Sequence, residues 1–146
     1  MSLIAKHPPL PQAKIETNVW TSPFWEAAAR HELVASRCGN CGTFRMPPTP
    51  FCPACQSQQI DWMALPGTGT VYSYTVVSRA IFPGMEDALP YVPAIITLDG
   101  GDGVRLISNV VESPIDAIAI DARVSLFWHD LPDGGSLPQF RIISDR

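Results

Sequence analysis

The stretch RCGNCGTFRMPPTPFCPACQ, residues 37–56, decides the fold of this chain, because it contains all four cysteines of the sequence. Cys38 and Cys41 form one C-x-x-C pair, and Cys52 and Cys55 form a second pair beyond a proline-rich hairpin. Two thiolates two residues apart can bind from one tight turn, and zinc prefers four such ligands in a tetrahedron. The spacing therefore predicts one zinc site that closes a small zinc ribbon.

Other states of the four cysteines are iron in a rubredoxin-like centre, two disulfides, or free thiols. Four protein ligands close a zinc site and leave no position for water, so we interpret the site as structural and assign it no chemistry. A ribbon of fewer than about thirty residues cannot build a core of its own, so metal binding is expected to supply its folding free energy.

The sequence before the cysteines divides into two parts. Residues 1–20 are expected to form a flexible arm, and residues 21–66 to hold an N-terminal helix and the zinc ribbon. Ser22 is a candidate helix cap, and Pro23 fits the first helical position, where its missing N–H costs nothing. The helix is expected to end near His31.

Two further segments flank the cysteines. Residues 32–37 alternate weakly and are expected to form a strand that enters the metal knuckle. Residues 56–66 are expected to be a linker.

From residue 67 to residue 146 the sequence becomes rich in Val, Ile, Thr and Tyr, which favour strands. Glycine-rich turn signals separate the apolar runs, and a possible helical turn begins at Ser113. Five strands with a short helical piece after the third are typical of an OB-fold barrel, although other small barrels or sandwiches fit the pattern nearly as well. The predicted strands are 68–78, 91–99, 104–111, 122–128 and 138–144.

Composition limits the classes of function. Charged residues make up 16% of the chain, below the roughly 25% of an average soluble domain, which suggests that a partner covers part of the surface. The formal net charge is −4, and the predicted barrel contains no lysine, which argues against nucleic acid as a partner. No run has signal-peptide or membrane-span length, so a cytoplasmic location with reduced cysteines is expected.

The sequence offers no catalytic constellation. His7, His31 and His129 are scattered, and no serine-hydrolase or phosphate-loop motif is present. Several aromatic residues of the barrel could stack on nucleic-acid bases, but packing within the fold is the simpler interpretation. These residues are Tyr72, Tyr74, Phe82, Tyr91, Phe127 and Trp128.

An ordered set of motifs resembles the acyl-CoA-associated zinc-ribbon/OB-fold family, long known as a domain of unknown function. The resemblance covers about residues 22–142. The motifs are Phe24-Trp25-Glu26-Ala27, Arg37-Cys38-x-x-Cys41-Gly42, Pro47-Pro48, Cys52-Pro53-x-Cys55, Gly67-x-Gly69-x-Val71-Tyr72-Ser73-Tyr74-Thr75-Val76-Val77, Arg79-Ala80, Pro83-Gly84, Pro90-Tyr91-Val92, Leu98-Asp99, Arg105-Leu106, Ser108-Asn109 and Leu137-Pro138-x-Phe140-Arg141.

This resemblance implies a mainly β protein with an N-terminal helix, a rubredoxin-like zinc ribbon and a C-terminal five-stranded OB-fold barrel. It also implies a non-catalytic subunit that accompanies a thiolase-like enzyme, an aldolase or a hydratase and helps it to assemble and to hold acyl-CoA. We expect Phe24 and Trp25 to dock on that partner, and Arg79 and Tyr91 to touch the CoA.

The sequence departs from the family pattern at several positions. Gln56 replaces a usual glycine after the last cysteine, Thr49 replaces a common arginine, Ser78 replaces a common histidine, and Asp121-Ala122 replaces a common Gly-Met. The loss of the arginine weakens the expectation of a CoA phosphate contact at residue 49.

Three hypotheses of function remain at this point. The first is the accessory subunit of an acyl-CoA enzyme. The alternative is a zinc-ribbon OB-fold protein that binds single-stranded nucleic acid, and the third is electron transfer through iron.

Overall fold

The computed structural model describes residues 3–9 and 14–143. Short 3₁₀ turns occur at Glu86–Ala88 and Ile115–Ala117. The helix and the strands, in chain order, are α1 (Ser22–Ala29), β1 (Val34–Cys38), β2 (Ile60–Ala64), β3 (Thr68–Tyr74), β4 (Val92–Leu98), β5 (Arg105–Val110), β6 (Arg123–Asp130) and β7 (Ser136–Ile142).

Five strands close into a barrel in the order β3-β4-β5-β7-β6. All neighbours are antiparallel except β5 and β7, which run parallel and meet at Val110 and Phe140. This order and the 3₁₀ turn before β6 are those of the predicted OB-fold, and the fold class is confirmed. The last residue of the fifth predicted strand, Ser144, lies outside the described residues.

The barrel interior follows from strand periodicity. Every second residue of β4 is buried, beginning with Val92, while the residues between them are only partly covered. Side chains from the other strands fill the same interior, including Val71, Val110, Val124 and Phe140, none of which is exposed. The core continues past the barrel into α1 and β1, so the helix, the ribbon and the barrel share one hydrophobic core.

The zinc ribbon contains a strand that the sequence analysis missed. Residues 56–66 were expected to be a linker, but β2 within them pairs antiparallel with β1, and Trp62 lies opposite Ser36. The strand faces the core with only some of its side chains, and none of its five residues is fully buried. Its sequence therefore carries no clear period-two signal.

The N-terminal helix is shorter than expected, and its cap differs. Thr21 occupies the N-cap position without a side-chain hydrogen bond, while Asn18 Oδ1 accepts hydrogen bonds from the backbone N–H groups of Trp20 and Thr21. The Ser22 hydroxyl donates to the backbone carbonyl of Asn18, so Ser22 is not the cap. Among the described residues, no helix is long and apolar enough to cross a membrane.

Residues 3–9 differ from the flexible arm that was expected. Their backbone bonds to the barrel on two sides, with the N–H of Ala5 donating to the carbonyl of Ser113 and the N–H of Lys6 to that of Pro90. His7 Nε2 lies 2.7 Å from Glu112 Oε2, and this contact lowers the pKa of Glu112. These bonds fasten the segment to the barrel, and residues 1, 2 and 10–13 lie outside the described residues.

We predict that Gly69→Ala destabilises the barrel. A Cβ at Gly69 would clash with the backbone carbonyl oxygen of Thr97, and the backbone cannot move aside as a flexible side chain can. Overpacking of this kind typically costs about 1–3 kcal/mol in the free energy of unfolding.

Chemical denaturation of the zinc-loaded protein measures the cost. Thr70→Ala, at the next position of β3, is the control and should change the stability much less. Equal stabilities of Gly69→Ala and wild type would contradict the close approach of β3 and β4.

Candidate metal centre and its surroundings

The four predicted ligands converge on one point. Each Sγ atom lies within 4.8 Å of the other three. The Cys38–Cys55 and Cys41–Cys52 sulfur pairs are each 3.6 Å apart. A tetrahedron with Zn–S bonds of about 2.3 Å has edges of about 3.8 Å, so these spacings fit a four-coordinate zinc ion.

Two matching turns position the sulfurs. In the first turn the backbone N–H of Gly42 donates to the carbonyl of Cys38, and in the second the N–H of Gln56 donates to the carbonyl of Cys52. Backbone N–H groups also point at the sulfurs, as from Asn40 to Cys38 Sγ at 3.3 Å. Such turns hold each thiolate pair in the geometry that a metal requires.

Electrostatics within the first turn favour the thiolate. The backbone N–H of Cys41 donates to the sulfur of Cys38, and this hydrogen bond is the main reason that the pKa of Cys38 is lowered to about 6. A thiolate is the form that binds zinc, so the peptide itself prepares the ligand. The donor set and its spacing identify a structural zinc site, and all four positions of the tetrahedron are taken by cysteine.

The positions after the two cysteine pairs have the same unusual backbone. Gly42 has φ of 82°, and Gln56 has φ of 61°. Glycine adopts this left-handed region freely, whereas a residue with a Cβ adopts it at a cost of about 1 kcal/mol. Gln56 therefore carries strain at the position where the family pattern has glycine.

The two aromatic residues of α1 differ from each other in exposure. Phe24 is only 5% exposed and belongs to the core, which corrects the expectation that both rings are free for a partner. The ring packs edge-on against Trp25, which is only partly buried. The domain covers Phe24 because the helix lies on the core shared with the barrel, a tertiary contact that the local sequence does not show.

Trp25 lines an apolar groove between the helix, the proline hairpin and the barrel. The groove has a volume of about 390 Å³, and Pro47, Pro48 and Ile107 form its other walls. Ile107 points outward from β5 and is 81% exposed. We call this feature the helix–barrel groove.

The outer face beside this groove was not predicted from the sequence. The guanidinium of Arg105 stacks over the ring of Tyr72 at 3.7 Å from the ring centroid, next to the exposed Ile107. An isoleucine at an outward-facing position of an otherwise regular strand is the signal that could have identified this face.

The predicted CoA contacts, Arg79 and Tyr91, both lie in the segment between β3 and β4. Tyr91 bridges to Val77 and lines a cavity of about 980 Å³, to which Lys6, His7 and Phe82 also contribute. Arg79 is exposed and does not line this cavity. The structure therefore places only Tyr91 at the loop cavity.

The histidines do not form a catalytic group. His31 Nε2 bonds to Asp130 Oδ1 at 2.6 Å, and the His31 ring stacks on Trp128. His7 has both ring nitrogens within hydrogen-bond distance of protein acceptors, Glu112 and Gln139. Its nitrogens are thus engaged by the fold, and the ring of His129 packs beside it.

Two family models match almost the whole described chain. Residues 25–61 match the model "ChsH2, rubredoxin-like zinc ribbon domain", and residues 62–137 match "ChsH2, C-terminal OB-fold domain". The chain belongs to the ChsH2 zinc-ribbon/OB-fold family. Membership confirms the resemblance drawn from the motifs and agrees with the four-cysteine centre and the closed barrel.

Two curated proteins are similar in sequence to this ChsH2-family chain. It is 42% identical over 119 residues to a "Probable enoyl-CoA hydratase alpha subunit" of Thermomonospora curvata, covering 81% of this chain and 36% of that protein. It is 33% identical over 107 residues to a "DUF35 domain-containing scaffold protein" of Methanocaldococcus jannaschii, covering 73% and 74% of the two chains. The chain therefore spans about a third of the first relative and most of the second.

A solved structure described as "Ltp2-ChsH2(DUF35) aldolase" has the same architecture. Its chain is 38% identical to this ChsH2-family chain, with a TM-score of 0.78. The match covers 88% of this chain and 98% of that chain.

For this family member we predict that Gln56→Gly stabilises the zinc-loaded ribbon. The substitution removes the cost of the left-handed backbone, an effect of about 1 kcal/mol before the greater chain entropy of glycine is subtracted. The measurement is the free energy of unfolding together with the chelator concentration that removes half of the zinc. Gln58→Gly, at an exposed position without positive φ, is the control and should be destabilising or neutral. Equal destabilisation by both substitutions would contradict strain at Gln56.

Proposed function

We propose that this chain is a non-catalytic, zinc-binding accessory subunit of an acyl-CoA-processing enzyme, and that the catalytic residues lie on the partner. The partner would be a hydratase, an aldolase or a thiolase-like enzyme, whose assembly and acyl-CoA binding this chain aids. The observation that carries the proposal is the apolar helix–barrel groove with the exposed Ile107 beside it. Such a surface is typical of a protein that is covered by another subunit.

The chemistry of the chain supports an accessory role. The zinc site has four cysteine ligands and so offers no open position to a substrate. Within the described residues, the three histidines are held by contacts of the fold rather than gathered around a cavity with a nucleophile. Relatives named as a hydratase alpha subunit, a scaffold protein and part of an aldolase agree with this assignment.

The helix–barrel groove has two sides between which a partner could bind. Trp25 and Pro47 form one side and Ile107 the other, so an apolar segment of the partner could insert between the ribbon and the barrel. Half-buried tryptophans at the centre of an interface are frequent energetic anchors. Phe24 would support docking indirectly, because its buried ring packs edge-on against Trp25 and holds it in place.

The loop cavity is the proposed place of contact with acyl-CoA. Tyr91 could stack on the adenine or contact the acyl chain, and the exposed Arg79 could pair with a phosphate from outside the cavity. Phe82, which is largely exposed, adds apolar surface at the same loop. The partner would complete this site, since the cavity is wide and open on the chain alone.

Docking is tested by capture of the native partner with tagged, zinc-loaded chain. We expect wild type to recover an acyl-CoA enzyme, and the Trp25→Ala, Ile107→Ser double variant to recover little of it, because both walls of the groove are lost. Ile120→Ser, which also removes an exposed isoleucine but does not line the groove, is the control. Recovery of no acyl-CoA enzyme by wild type, or equal recovery by the double variant, would refute docking through the groove.

The acyl-CoA contact is tested on the purified complex. We expect Tyr91→Ala and Arg79→Ala each to weaken acyl-CoA binding by roughly tenfold, the effect of about 1.4 kcal/mol of lost interaction. Isothermal titration with the acyl-CoA substrate of the recovered enzyme measures the dissociation constant. Arg30→Ala, which removes an exposed arginine of the helix end, should leave it unchanged. Unchanged binding in both loop variants would show that this loop does not contact the ligand, even if docking stands.

A further inference from the structure

Arg45 is a buried cation without a counter-ion. Only 5% of the residue is exposed, and among the described residues neither of its terminal guanidinium nitrogens has a hydrogen-bond partner. Its Nε donates to the backbone carbonyl of Thr49 at 3.0 Å, and its backbone pairs with Ser36. A buried charge that lacks a partner costs several kcal/mol, so its retention indicates that something else supplies the negative charge.

Arg45 forms part of the wall of a cavity with a second arginine. The cavity has a volume of about 470 Å³ and lies between the proline hairpin and the turn that leads into β5, where Arg105 also lines it. Thr49 and the largely exposed Phe51 also line this cavity. Among the described residues that line this cavity, the charged ones are the two arginines and none is acidic, in a protein of net charge −4.

Arg105 is arranged to bind an acceptor. Its guanidinium face stacks on Tyr72, at 3.7 Å from the ring centroid. Stacking occupies the face of the planar group and leaves its N–H donors free in the plane. The same residue lines the helix–barrel groove, so the cavity adjoins the proposed docking surface.

We propose that this cavity, which we call the arginine cavity, is an anion-binding site and that it receives an aspartate or glutamate side chain of the partner subunit. The assignment of the carboxylate to the partner subunit rests on the proposed function, whereas the anion site itself does not. The carboxylate would neutralise Arg45 and pair with Arg105 as the apolar segment fills the adjoining groove. The pair would thus give orientation to an interface that is otherwise apolar.

The number of free donors favours a carboxylate over a phosphate. The two terminal nitrogens of Arg45 are unpaired and covered in the free chain, and their spacing matches the two oxygens of one carboxylate, which would reach them as the partner reshapes the cavity wall. A phosphate has three outer oxygens and about twice the charge at neutral pH, so burial there would leave more of it unsatisfied. Phe51 and the prolines around the cavity also suit the apolar stem of a glutamate.

The zinc centre is a second source of negative charge, since four thiolates around Zn²⁺ carry a net charge of about −2. If the thiolates alone compensate Arg45, its replacement should weaken zinc binding and leave anion binding by Arg105 intact. This alternative makes a different prediction from the carboxylate site, and the experiment separates the two.

The first arm of the test uses the zinc-loaded full chain. Acetate and inorganic phosphate are titrated at constant ionic strength while the guanidinium signals of Arg45 and Arg105 are followed by NMR. We expect saturable shifts with acetate, weaker binding of phosphate, and at least roughly tenfold weaker acetate binding in Arg105→Met. Arg30→Met removes an exposed arginine elsewhere and should bind acetate as wild type does.

Arg45→Met is measured alongside, with its circular dichroism spectrum as the control for folding and its zinc affinity as a separate measurement. Arg105→Met, at an exposed position, keeps the test decisive if Arg45→Met does not fold. No saturable shift in wild type, equal binding in Arg105→Met, or tighter binding of phosphate would each overturn the carboxylate site. Loss of zinc affinity in Arg45→Met with unchanged acetate binding would assign Arg45 to the metal centre instead.

The second arm repeats the acetate titration on the complex with the captured enzyme. If a partner carboxylate fills the cavity, acetate no longer shifts the signal of Arg105, and Arg105→Met weakens the complex by roughly tenfold. Acetate binding that persists in the complex would overturn the partner as the source. Failure to capture an acyl-CoA enzyme would overturn the proposed function alone, because the first arm does not depend on it.

Discussion

The tetrahedron of four cysteine sulfurs is the constraint on which the helix–barrel groove and the arginine cavity depend. The hairpin between the two cysteine pairs is tied at both ends to the metal, and within it lie Arg45 and the two prolines that wall the helix–barrel groove. A proline-rich segment of this length has few backbone hydrogen bonds of its own. The zinc would therefore set the position of the proposed docking surface as well as the stability of the ribbon.

Those parts of the fold that depend on local chemistry were predictable from the sequence. The cysteine spacing specifies the metal site because two knuckles need only their own residues, and the alternation within β4 specifies a half-buried strand. β2 was missed because it pairs with β1 across the cysteine-containing hairpin, and its side chains are neither clearly buried nor clearly exposed. The docking of residues 3–9 was missed for a related reason, since those bonds join segments that are far apart in the sequence.

In the candidate site too, features set by local residues were predictable and features set by tertiary contacts were not. The ligands of the metal could be predicted individually, but the exposure of the aromatic residues could not. Phe24 and Trp25 are neighbours in sequence and both line the groove, yet Phe24 is buried in the core and Trp25 is only partly buried. The free donors of Arg45 were equally hidden, because an arginine in a sequence is expected at the surface. Only the folded chain shows that a cation has been buried without an anion.

The proposed docking through the groove and the arginine cavity would let a protein with a closed barrel associate specifically. Closure removes the free strand edges through which sheets usually add a partner, so binding through the barrel must use side chains. Apolar side chains such as Trp25 and Ile107 supply free energy but little direction, because hydrophobic contact is not directional. A guanidinium beside them is directional, since its planar N–H groups donate to the two oxygens of a carboxylate in one orientation. Because one wall of the groove comes from the ribbon and the other from the barrel, a partner that fills it would also stabilise the arrangement of the two units, and its affinity would depend on the zinc.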